Sequence, residues 1–201
     1  MTFEVYVMRH GETEANVQQV LIGREDSPFT DAGRLQPGQV ACHLTSRPLR
    51  CIYSSPMERT RRTAELVQET LARPIPIETR EAIAEIDAGE FTGLSFQEVR
   101  SRVPNDAILG EFRYPGGESW GDVQARSLNF VLSLETVHDG TAVLVVTHAG
   151  VIAGLVAAYV GEPIERYIRT RFCHDFLGRL TIEAGALTGY EKITGTVDSW
   201  I

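Results

Sequence analysis

Between Ala142 and Val160 the chain reads AVLVVTHAGVIAGLVAAYV, and this stretch decides the fold class. Its first part, Ala142 to Val146, is a short run of apolar residues rich in valine, which predicts a buried strand. A strand that is apolar throughout is typical of a parallel sheet whose two faces are both covered by helices. The second part, Val151 to Val160, predicts a buried helix. The pair favours an α/β fold.

Three further strands are predicted along the chain. They are Phe3 to Met8, Cys51 to Tyr53, and an edge strand from Ile75 to Ile77. The last is placed at an edge because Pro76 has no N–H to donate to a central ladder.

Helix starts are marked by capping residues. Ser55-Pro-Met-Glu58 has a capping serine, a proline at the first position and a glutamate at the third, which predicts a helix from Pro56 that ends before Pro74. Further starts are predicted at Ser95, for a helix that reaches about Val103, at Ser119, and at Thr30, where Pro37 is expected to kink or restart the helix.

Strands that alternate with helices predict a three-layer α/β/α architecture with a largely parallel central sheet. The length of 201 residues favours one domain, residues 1–201. The segment from about 88 to 119 is rich in glycine and turn residues, and we expect it to lie like a lid over one end of the sheet.

The amino-acid composition excludes several classes of protein. Hydrophobic residues make up 43% and charged residues 23%, which is ordinary for a globular protein and argues against disorder or coiled coil. Acidic residues outnumber basic ones, 27 to 19, for a net charge of −8. Such a chain is a poor non-specific binder of nucleic acid or anionic membrane, so an anionic substrate would need a local cluster of cations.

Cysteine usage and hydropathy favour a cytoplasmic protein. The three cysteines, Cys42, Cys51 and Cys173, are an odd number without Cys-x-x-Cys spacing, which argues against a disulfide scaffold or structural zinc. The first residues lack the features of a signal peptide. The uncharged stretch from Gly140 to Gly161 is long enough to span a bilayer, but Thr147, His148 and Gly150 interrupt it, which favours a strand followed by a helix.

Cationic side chains follow three of the predicted strands. Arg9 and His10 follow the first strand, and His148 follows the strand that ends at Val146. Arg59 lies one turn into the capped helix that comes after the strand ending at Tyr53. Because ligands bind beyond the carboxyl ends of parallel strands, we expect these groups to converge. Two guanidiniums and an imidazole beside a helix N-terminus form a site for a phosphate-sized anion.

The other basic, histidine and cysteine residues are weaker candidates for a functional site. Arg61 and Arg62 are expected to face solvent or to pair with glutamates of the same helix. The remaining histidines have no such placement and are interpreted as structural: His43, His138 and His174. Cys173-His174-Asp175 lacks the second ligand pair that a metal site needs. The sequence contains no dinucleotide fingerprint, P-loop, Gly-x-Ser-x-Gly elbow or His-Glu-x-x-His motif.

Four segments, in this order, resemble the motifs of the histidine phosphatase (phosphoglycerate mutase-like) superfamily. The first, Arg9-His10-Gly11-Glu12-Thr13-Glu14-Ala15-Asn16, resembles the Arg-His-Gly-x-Thr/Ser-x-x-Asn signature and continues through Gly23-Arg24. The others are Ser55 to Ala64, the acidic segment Ala84 to Gly93, and Val145 to Gly150.

The resemblance implies the fold of that family and a role for each matching residue. His10 would be the nucleophile, transiently phosphorylated on a ring nitrogen, with its other nitrogen held by an acceptor such as a backbone carbonyl. Arg9, Arg59 and His148 would hold the phosphoryl oxygens. Glu85 matches the general acid, which protonates the leaving alkoxide.

The resemblance also suggests substrate-binding residues, which are Asn16, Gly23, Arg24 and Glu118. Asp87, Glu90 and Glu118 stay open as alternative carboxylates, and Glu118 is the next candidate for the acid. No metal and no cofactor is implied, because the arginines supply the positive charge.

The implied activity is hydrolysis of the phosphomonoester of a small metabolite. The chain departs from the mutase pattern at Pro37, Ala149 and Ala153, and its segment between Gly93 and Pro115 is short, which favours a phosphatase over a mutase. A cofactor-dependent phosphoglycerate mutase and a non-catalytic phospho-ligand binding domain are the alternatives. The expected partner is a small phosphorylated metabolite, with neither nucleic acid nor membrane, and a homodimer is left open.

Overall fold

The computed structural model describes residues 2–104, 107–138 and 141–199, so Gly140 lies outside the described residues. Within them a six-stranded sheet lies between two layers of helices. The strands are β1 (Phe3–Arg9), β2 (Val20–Leu21), β3 (Leu49–Ser54), β4 (Ile77–Thr79), β5 (Leu94–Ser95), β6 (Ala142–Thr147), β7 (Thr170–Phe172), β8 (Leu177–Glu183), β9 (Ala186–Thr194) and β10 (Val197–Ser199). The α-helices are α1 (Glu14–Gln18), α2 (Asp31–Ala41), α3 (Glu58–Leu71), α4 (Phe96–Arg102), α5 (Trp120–Val137), α6 (Ala149–Val160) and α7 (Glu165–Ile168). Short 3₁₀ turns cover Cys42–Leu44, Glu81–Ile83 and Gly89–Phe91.

The central sheet has the strand order β4-β3-β6-β1-β8-β9. Its first four strands are parallel, and β8 and β9 are antiparallel to their neighbours. The predicted three-layer α/β fold with a largely parallel sheet is therefore confirmed. The β8–β9 hairpin was not predicted, because Gly178 and Arg179 interrupt the apolar run of β8 and β9 contains no buried residue.

Alternate residues of the central strands pack into two separate cores. On one face Val5, Val7, Val143 and Val145 pack with residues of α5 and α6. On the other face residues such as Met8 pack with α2 and α3. This alternation follows from the period of two along a strand, and it explains why β6 is buried at every position.

The predicted elements agree with the structure in most places and differ mainly by about two residues at their ends. The capping boxes at Ser95 and Ser119 both form. The edge strand begins at Ile77 rather than Ile75, while the carbonyl of Pro76 still accepts a hydrogen bond from Ile52 N. Helix α2 runs through Pro37 without ending there. Helix α3 begins at Glu58, two residues later than predicted.

The described part of the segment from 88 to 119 lies beside the loop that follows β1. Strand β5 of this segment pairs with β2, and Gly117 donates a backbone hydrogen bond to Tyr114 within it. Phe91 and Tyr114 join the core cluster beneath α5 and α6. The segment thus lies near the carboxyl end of β1, on the side where the cations were expected to converge. None of the helices in the described ranges is both long and apolar enough to cross a membrane.

Candidate active site

The carboxyl ends of β1, β3 and β6 meet at one edge of the sheet. Arg9 is the register partner of Thr147, and Ser54 is the partner of Val146. The backbone nitrogen of His10 donates to the carbonyl of Thr147 at 3.0 Å. The parallel register therefore brings the residues after β1 and those after β6 together, as the sequence predicted.

His10 lies buried directly after β1. Its Nδ1 is 2.8 Å from the carbonyl oxygen of Gly11. Since a carbonyl only accepts, Nδ1 carries a proton, and in the neutral ring Nε2 keeps its lone pair. Burial, with Arg59, His148 and Arg9 nearby, holds the pKa of His10 well below its ordinary value of 6.5. The ring is therefore neutral at physiological pH, which is the state that a nitrogen nucleophile needs.

His148 is the N-cap residue of α6, and its ring meets the ring of His10 edge-on at a centroid distance of 5.2 Å. Its Nε2 is 2.7 Å from Oγ of Ser55, whereas its buried Nδ1 has no hydrogen-bond partner among the described residues. Burial first, and then Arg59 and Arg9, hold the pKa of His148 well below 6.5. A buried, unpartnered ring nitrogen beside the nucleophile is suited to a ligand oxygen.

Arg9 is a buried cation at the end of β1, with only 8% of its surface exposed. Its Nη1 donates to the carbonyl of Phe172 at 2.8 Å, and its Nε has no partner among the described residues. Burial lowers the pKa of Arg9 to about 10, which still leaves it charged at neutral pH. Arg9 thus supplies a fixed positive charge beside His10.

Arg59 lies in the first turn of α3, and the start of this helix corrects a sequence prediction. Ser55 was predicted as the cap, but its hydroxyl lies against His148, and Met57 is the N-cap residue. The carboxylate of Asp26 caps the helix instead, accepting from the backbone nitrogen of Glu58 at 2.9 Å and from that of Arg59 at 3.3 Å. A cap from a distant loop has no local sequence signature.

Glu85 follows the 3₁₀ turn Glu81–Ile83, and this turn is tied to the end of β6 because Thr147 Oγ1 donates to the carbonyl of Ile83 at 2.8 Å. Oε1 of Glu85 accepts from the backbone nitrogen of Ile86 at 3.0 Å, and Oε2 is 4.0 Å from Nδ1 of His148. Burial raises the pKa of Glu85, although the Ile86 N–H and the nearby arginines oppose the rise. A carboxyl group with a raised pKa beside the imidazole of His148 can hold a proton for a leaving group.

Gly150 allows the start of α6 to approach this carboxyl group. A Cβ at Gly150 would lie 2.1 Å from Cζ3 of Trp120 and 3.0 Å from Oε1 of Glu85. Any side chain at this position would therefore displace the Trp120 ring, or the carboxyl group that the site uses. The glycine is required by close packing, because its φ is not in the left-handed region.

The four predicted substrate-binding residues are placed differently from one another. The carboxamide oxygen of Asn16 accepts from Thr13, which leaves the NH₂ end able to donate to a ligand. The carbonyl of Gly23 accepts from Arg59 at 2.8 Å, so Gly23 supports the cation directly. Arg24 is exposed, and its Nη2 lies 3.4 Å from Oε2 of Glu118.

Glu118 is largely engaged by other groups. Arg126 donates to both of its carboxylate oxygens, and Asp87 N donates to Oε2 at 3.0 Å. Burial alone would raise the pKa of Glu118, but these hydrogen bonds hold it below its ordinary value. The carboxylate of Glu118 is thus ionised and bound. Two other carboxylates are candidates for the general acid. Glu90 is exposed, and Asp87 accepts a hydrogen bond from the backbone nitrogen of Gly89.

The sequence interpreted His174 as structural and did not place it with the residues that follow strands, but the structure places it beside His10. Its ring centroid is 5.4 Å from that of His10, and its Nδ1 is 2.7 Å from the carbonyl oxygen of His10, to which it donates. Burial lowers the pKa of His174 to about 2, so this ring is also neutral. Only residues that follow predicted strands are expected from the sequence to converge at the site. His174 precedes β8, and because β8 is antiparallel to β1 its start lies at the same edge.

The resulting site combines two buried arginines, three neutral imidazoles and a carboxyl group with a raised pKa. No group of three or more histidine, cysteine or acidic residues in the described ranges is arranged to hold a metal ion. Such a pocket can bind a phosphoryl group through its cations, present one imidazole lone pair to phosphorus, and donate a proton to a leaving oxygen.

Comparison with known proteins identifies the family and the fold. The family model of the histidine phosphatase superfamily, branch 1, matches residues 5–188. The probable phosphoglycerate mutase GpmB of Salmonella choleraesuis is 32% identical over 179 residues, which cover 85% of this chain and 81% of that protein. The structure of Bacillus stearothermophilus YhfR is similar with a TM-score of 0.79 and 29% identity, over 92% of this chain and 94% of that one. The fold also matches the mycobacterial glucosyl-3-phosphoglycerate phosphatase, with a TM-score of 0.80 and 24% identity, over 97% and 99% of the two chains.

Proposed function

The chain belongs to the histidine phosphatase superfamily, and we propose that it hydrolyses the phosphomonoester of a small metabolite through a phosphohistidine intermediate on His10, without a metal ion. The observation that carries this proposal is the hydrogen bond from His10 Nδ1 to the carbonyl of Gly11. It fixes the proton on Nδ1 and leaves Nε2 as the nucleophile. A neutral ring follows from the lowered pKa of His10.

In the first step the lone pair of Nε2 forms a bond to phosphorus as the bond from phosphorus to the ester oxygen breaks. Arg9, Arg59 and His148 hold the equatorial phosphoryl oxygens, on which the transferred charge is spread. Glu85 gives its proton to the leaving alkoxide. In the second step the resulting Glu85 carboxylate takes a proton from water, which attacks phosphorus and releases phosphate and neutral His10.

The choice of Glu85 as the acid is supported by the contrast with Glu118. Burial raises the pKa of Glu85, which favours the protonated form that a general acid needs. Glu118 has a lowered pKa and is bound to Arg126, so it is a poor proton donor. We assign Glu118 to holding Arg126 and Arg24 at the rim of the pocket.

A phosphoglycerate mutase is the second candidate, because the curated relative at 32% identity bears that name. The two activities differ only in the acceptor of the phosphoryl group, which is water for a phosphatase and a second hydroxyl for a mutase. The short stretch from Gly93 to Pro115 supports the phosphatase, since fewer residues are available to exclude water from the phosphohistidine.

The experiment that tests this function measures phosphate release from a panel of phosphorylated sugars, amino acids, nucleotides and glycerates. Each reaction is run with and without a chelator, and the glycerates are also assayed for isomerisation with a bisphosphoglycerate primer. We expect phosphate release that the chelator leaves unchanged. Isomerisation faster than phosphate release would favour the mutase, and activity lost to the chelator and restored by a divalent metal would contradict the metal-free mechanism.

A further inference from the structure

Ser55 has an unexpected partner. It follows β3, is fully buried, and its Oγ lies 2.7 Å from Nε2 of His148, which is 93 residues away in the chain. The sequence predicted that this hydroxyl would cap α3, and the cap is supplied by Asp26 instead. The Ser55 hydroxyl also contacts Thr60 Oγ1 at 2.9 Å and Met57 Sδ at 3.1 Å, but its shortest contact is with His148, so it can determine where His148 carries its proton.

Two arrangements of protons satisfy this hydrogen bond. In the first, Ser55 donates to Nε2, so the proton of the neutral imidazole lies on Nδ1. In the second, Nε2–H donates to Ser55, whose own proton then goes to Thr60 Oγ1 at 2.9 Å or to Met57 Sδ at 3.1 Å. Thr60 accepts in this case because its own proton is donated to the carbonyl of Met57 at 2.7 Å.

The surroundings of Nδ1 decide between the two. This nitrogen is buried, has no hydrogen-bond partner among the described residues, and lies 4.0 Å from a carboxyl oxygen of Glu85. With substrate bound, a bare lone pair there would face an anionic phosphoryl oxygen, whereas an N–H would donate to that oxygen. The first arrangement is therefore lower in energy.

We propose that Ser55 is a positioning residue, which donates its hydroxyl proton to Nε2 of His148 and so keeps Nδ1–H directed at the phosphoryl oxygens. This inference rests on the proposed function of the site. It also explains how two neighbouring neutral imidazoles perform opposite tasks. The carbonyl of Gly11 leaves His10 with a bare Nε2, which attacks, whereas the hydroxyl of Ser55 leaves His148 with a protonated Nδ1, which donates.

Loss of the hydroxyl frees the proton of His148 to occupy either nitrogen. In Ser55→Ala, molecules with a bare Nδ1 repel the phosphoryl oxygen that they should bind. Removing one preorganised donor typically costs about 10²–10³ in rate, and a donor lost in only part of the molecules costs less. We expect the phosphorylation step of Ser55→Ala to slow by about two- to tenfold, in proportion to the share of molecules with a bare Nδ1. Ser55→Thr, which keeps a hydroxyl, should recover most of the rate.

The test reads the proton directly. The chain is labelled with ¹⁵N-histidine, the His148 ring is assigned by the loss of its signals in His148→Gln, and the ¹⁵N shifts of its two nitrogens report which one is protonated. We expect a protonated Nδ1 and a bare Nε2 in the unmodified chain. We expect shifts averaged between the two tautomers in Ser55→Ala, and unchanged shifts in Ser54→Ala, whose buried hydroxyl donates to the Ser55 carbonyl instead.

A protonated Nε2 in the unmodified chain would overturn the proposal, even if the variant misfolds or the enzyme is active. Equal phosphorylation rates in Ser55→Ala and Ser54→Ala would also overturn it. The tautomer is measured without substrate and therefore does not depend on catalytic activity. If the ¹⁵N shifts are as expected but the chain transfers no phosphoryl group, the proposed function fails and the tautomer assignment stands.

Discussion

Asp26 and Arg59 are joined twice, since Oδ1 of Asp26 lies 3.2 Å from Nη1 of Arg59 and 3.3 Å from its backbone nitrogen. The carbonyls of Gly23 and Glu25 accept from the same guanidinium. Three of its five N–H donors are thereby used, which leaves Nε–H and the second Nη2–H for a phosphoryl group. One loop carboxylate thus caps α3 and orients a buried cation.

This relationship predicts the effect of removing Asp26. Asp26→Ala loses a helix cap, which costs about 1 kcal/mol in the free energy of unfolding. It also releases Arg59, so the phosphorylation rate should fall at the same time. The matched control is Asp31→Ala, in the exposed first turn of α2, which should change stability less and leave the rate unchanged. Urea unfolding and single-turnover kinetics measure both effects, and a wild-type rate in Asp26→Ala would show that Arg59 does not depend on it.

Arg59 itself is expected to stabilise the transition state. Arg59→Ala should lower the rate by about 10²–10³, the loss typical of removing one preorganised donor. Inhibition by vanadate, which mimics pentavalent phosphorus, should weaken in parallel. Arg61→Ala is the control on the same helix, because Arg61 is half-exposed and pairs only with Glu58 in the described contacts. If the two variants lose activity equally, the loss is due to a disturbed α3 and not to the missing contact between Arg59 and the phosphoryl group.

The role of Glu85 is tested with two leaving groups. An alkyl alkoxide needs a proton in order to leave, whereas a nitrophenolate does not. Glu85→Gln should therefore slow an alkyl phosphate more than p-nitrophenyl phosphate, by about 10² in relative rate, and should remove the alkaline limb of the pH profile. The rates are taken from the phosphorylation burst, so that slow hydrolysis of the intermediate does not mask the difference.

Glu118→Gln provides the control for Glu85→Gln. Its carboxylate is bound to Arg126, so this variant should slow both substrates by similar factors and keep the alkaline limb. The assignment of the acid would move to Glu118 if the leaving-group effect appeared in Glu118→Gln and was missing from Glu85→Gln.

The lowered pKa of His10 predicts a flat titration. Burial and the nearby cations keep its ring neutral, so its C2–H proton resonance should not shift as the pH falls from 8 to 5. The unfolded chain does bind protons in this range, because an unperturbed histidine titrates near 6.5. Unfolding then takes up protons, so the free energy of unfolding should fall as the pH drops through 6.5. An NMR midpoint near 6.5 for His10 would contradict the account.

Much of the site could be predicted from the sequence because its residues follow strands. Arg9, His10 and His148 directly follow apolar runs, and parallel strands bring their carboxyl ends together whatever their order in the sheet. The family match over residues 5–188 confirms the predicted membership of the histidine phosphatase superfamily. The roles of the individual residues remain predictions.

The parts that the sequence did not predict depend on contacts between distant segments. Asp26 caps a helix that begins 32 residues later, and Ser55, which has the local pattern of a cap, bonds to His148 instead. His174 reaches the site only because β8 runs antiparallel to β1. Local propensity carries no information on such contacts, since each depends on tertiary packing.

The central claim is that His10 carries the phosphoryl group, and one measurement tests it most directly. The enzyme is mixed briefly with a ³²P-labelled phosphomonoester taken from the panel, quenched in alkali and digested, and the labelled peptide is identified by mass spectrometry. The account predicts an acid-labile, alkali-stable phosphate on His10. The label should be retained in the control variant His43→Ala, in which an exposed histidine is replaced, and should be absent from a folded His10→Ala. Phosphate on any other residue, or label that persists in His10→Ala, would contradict it.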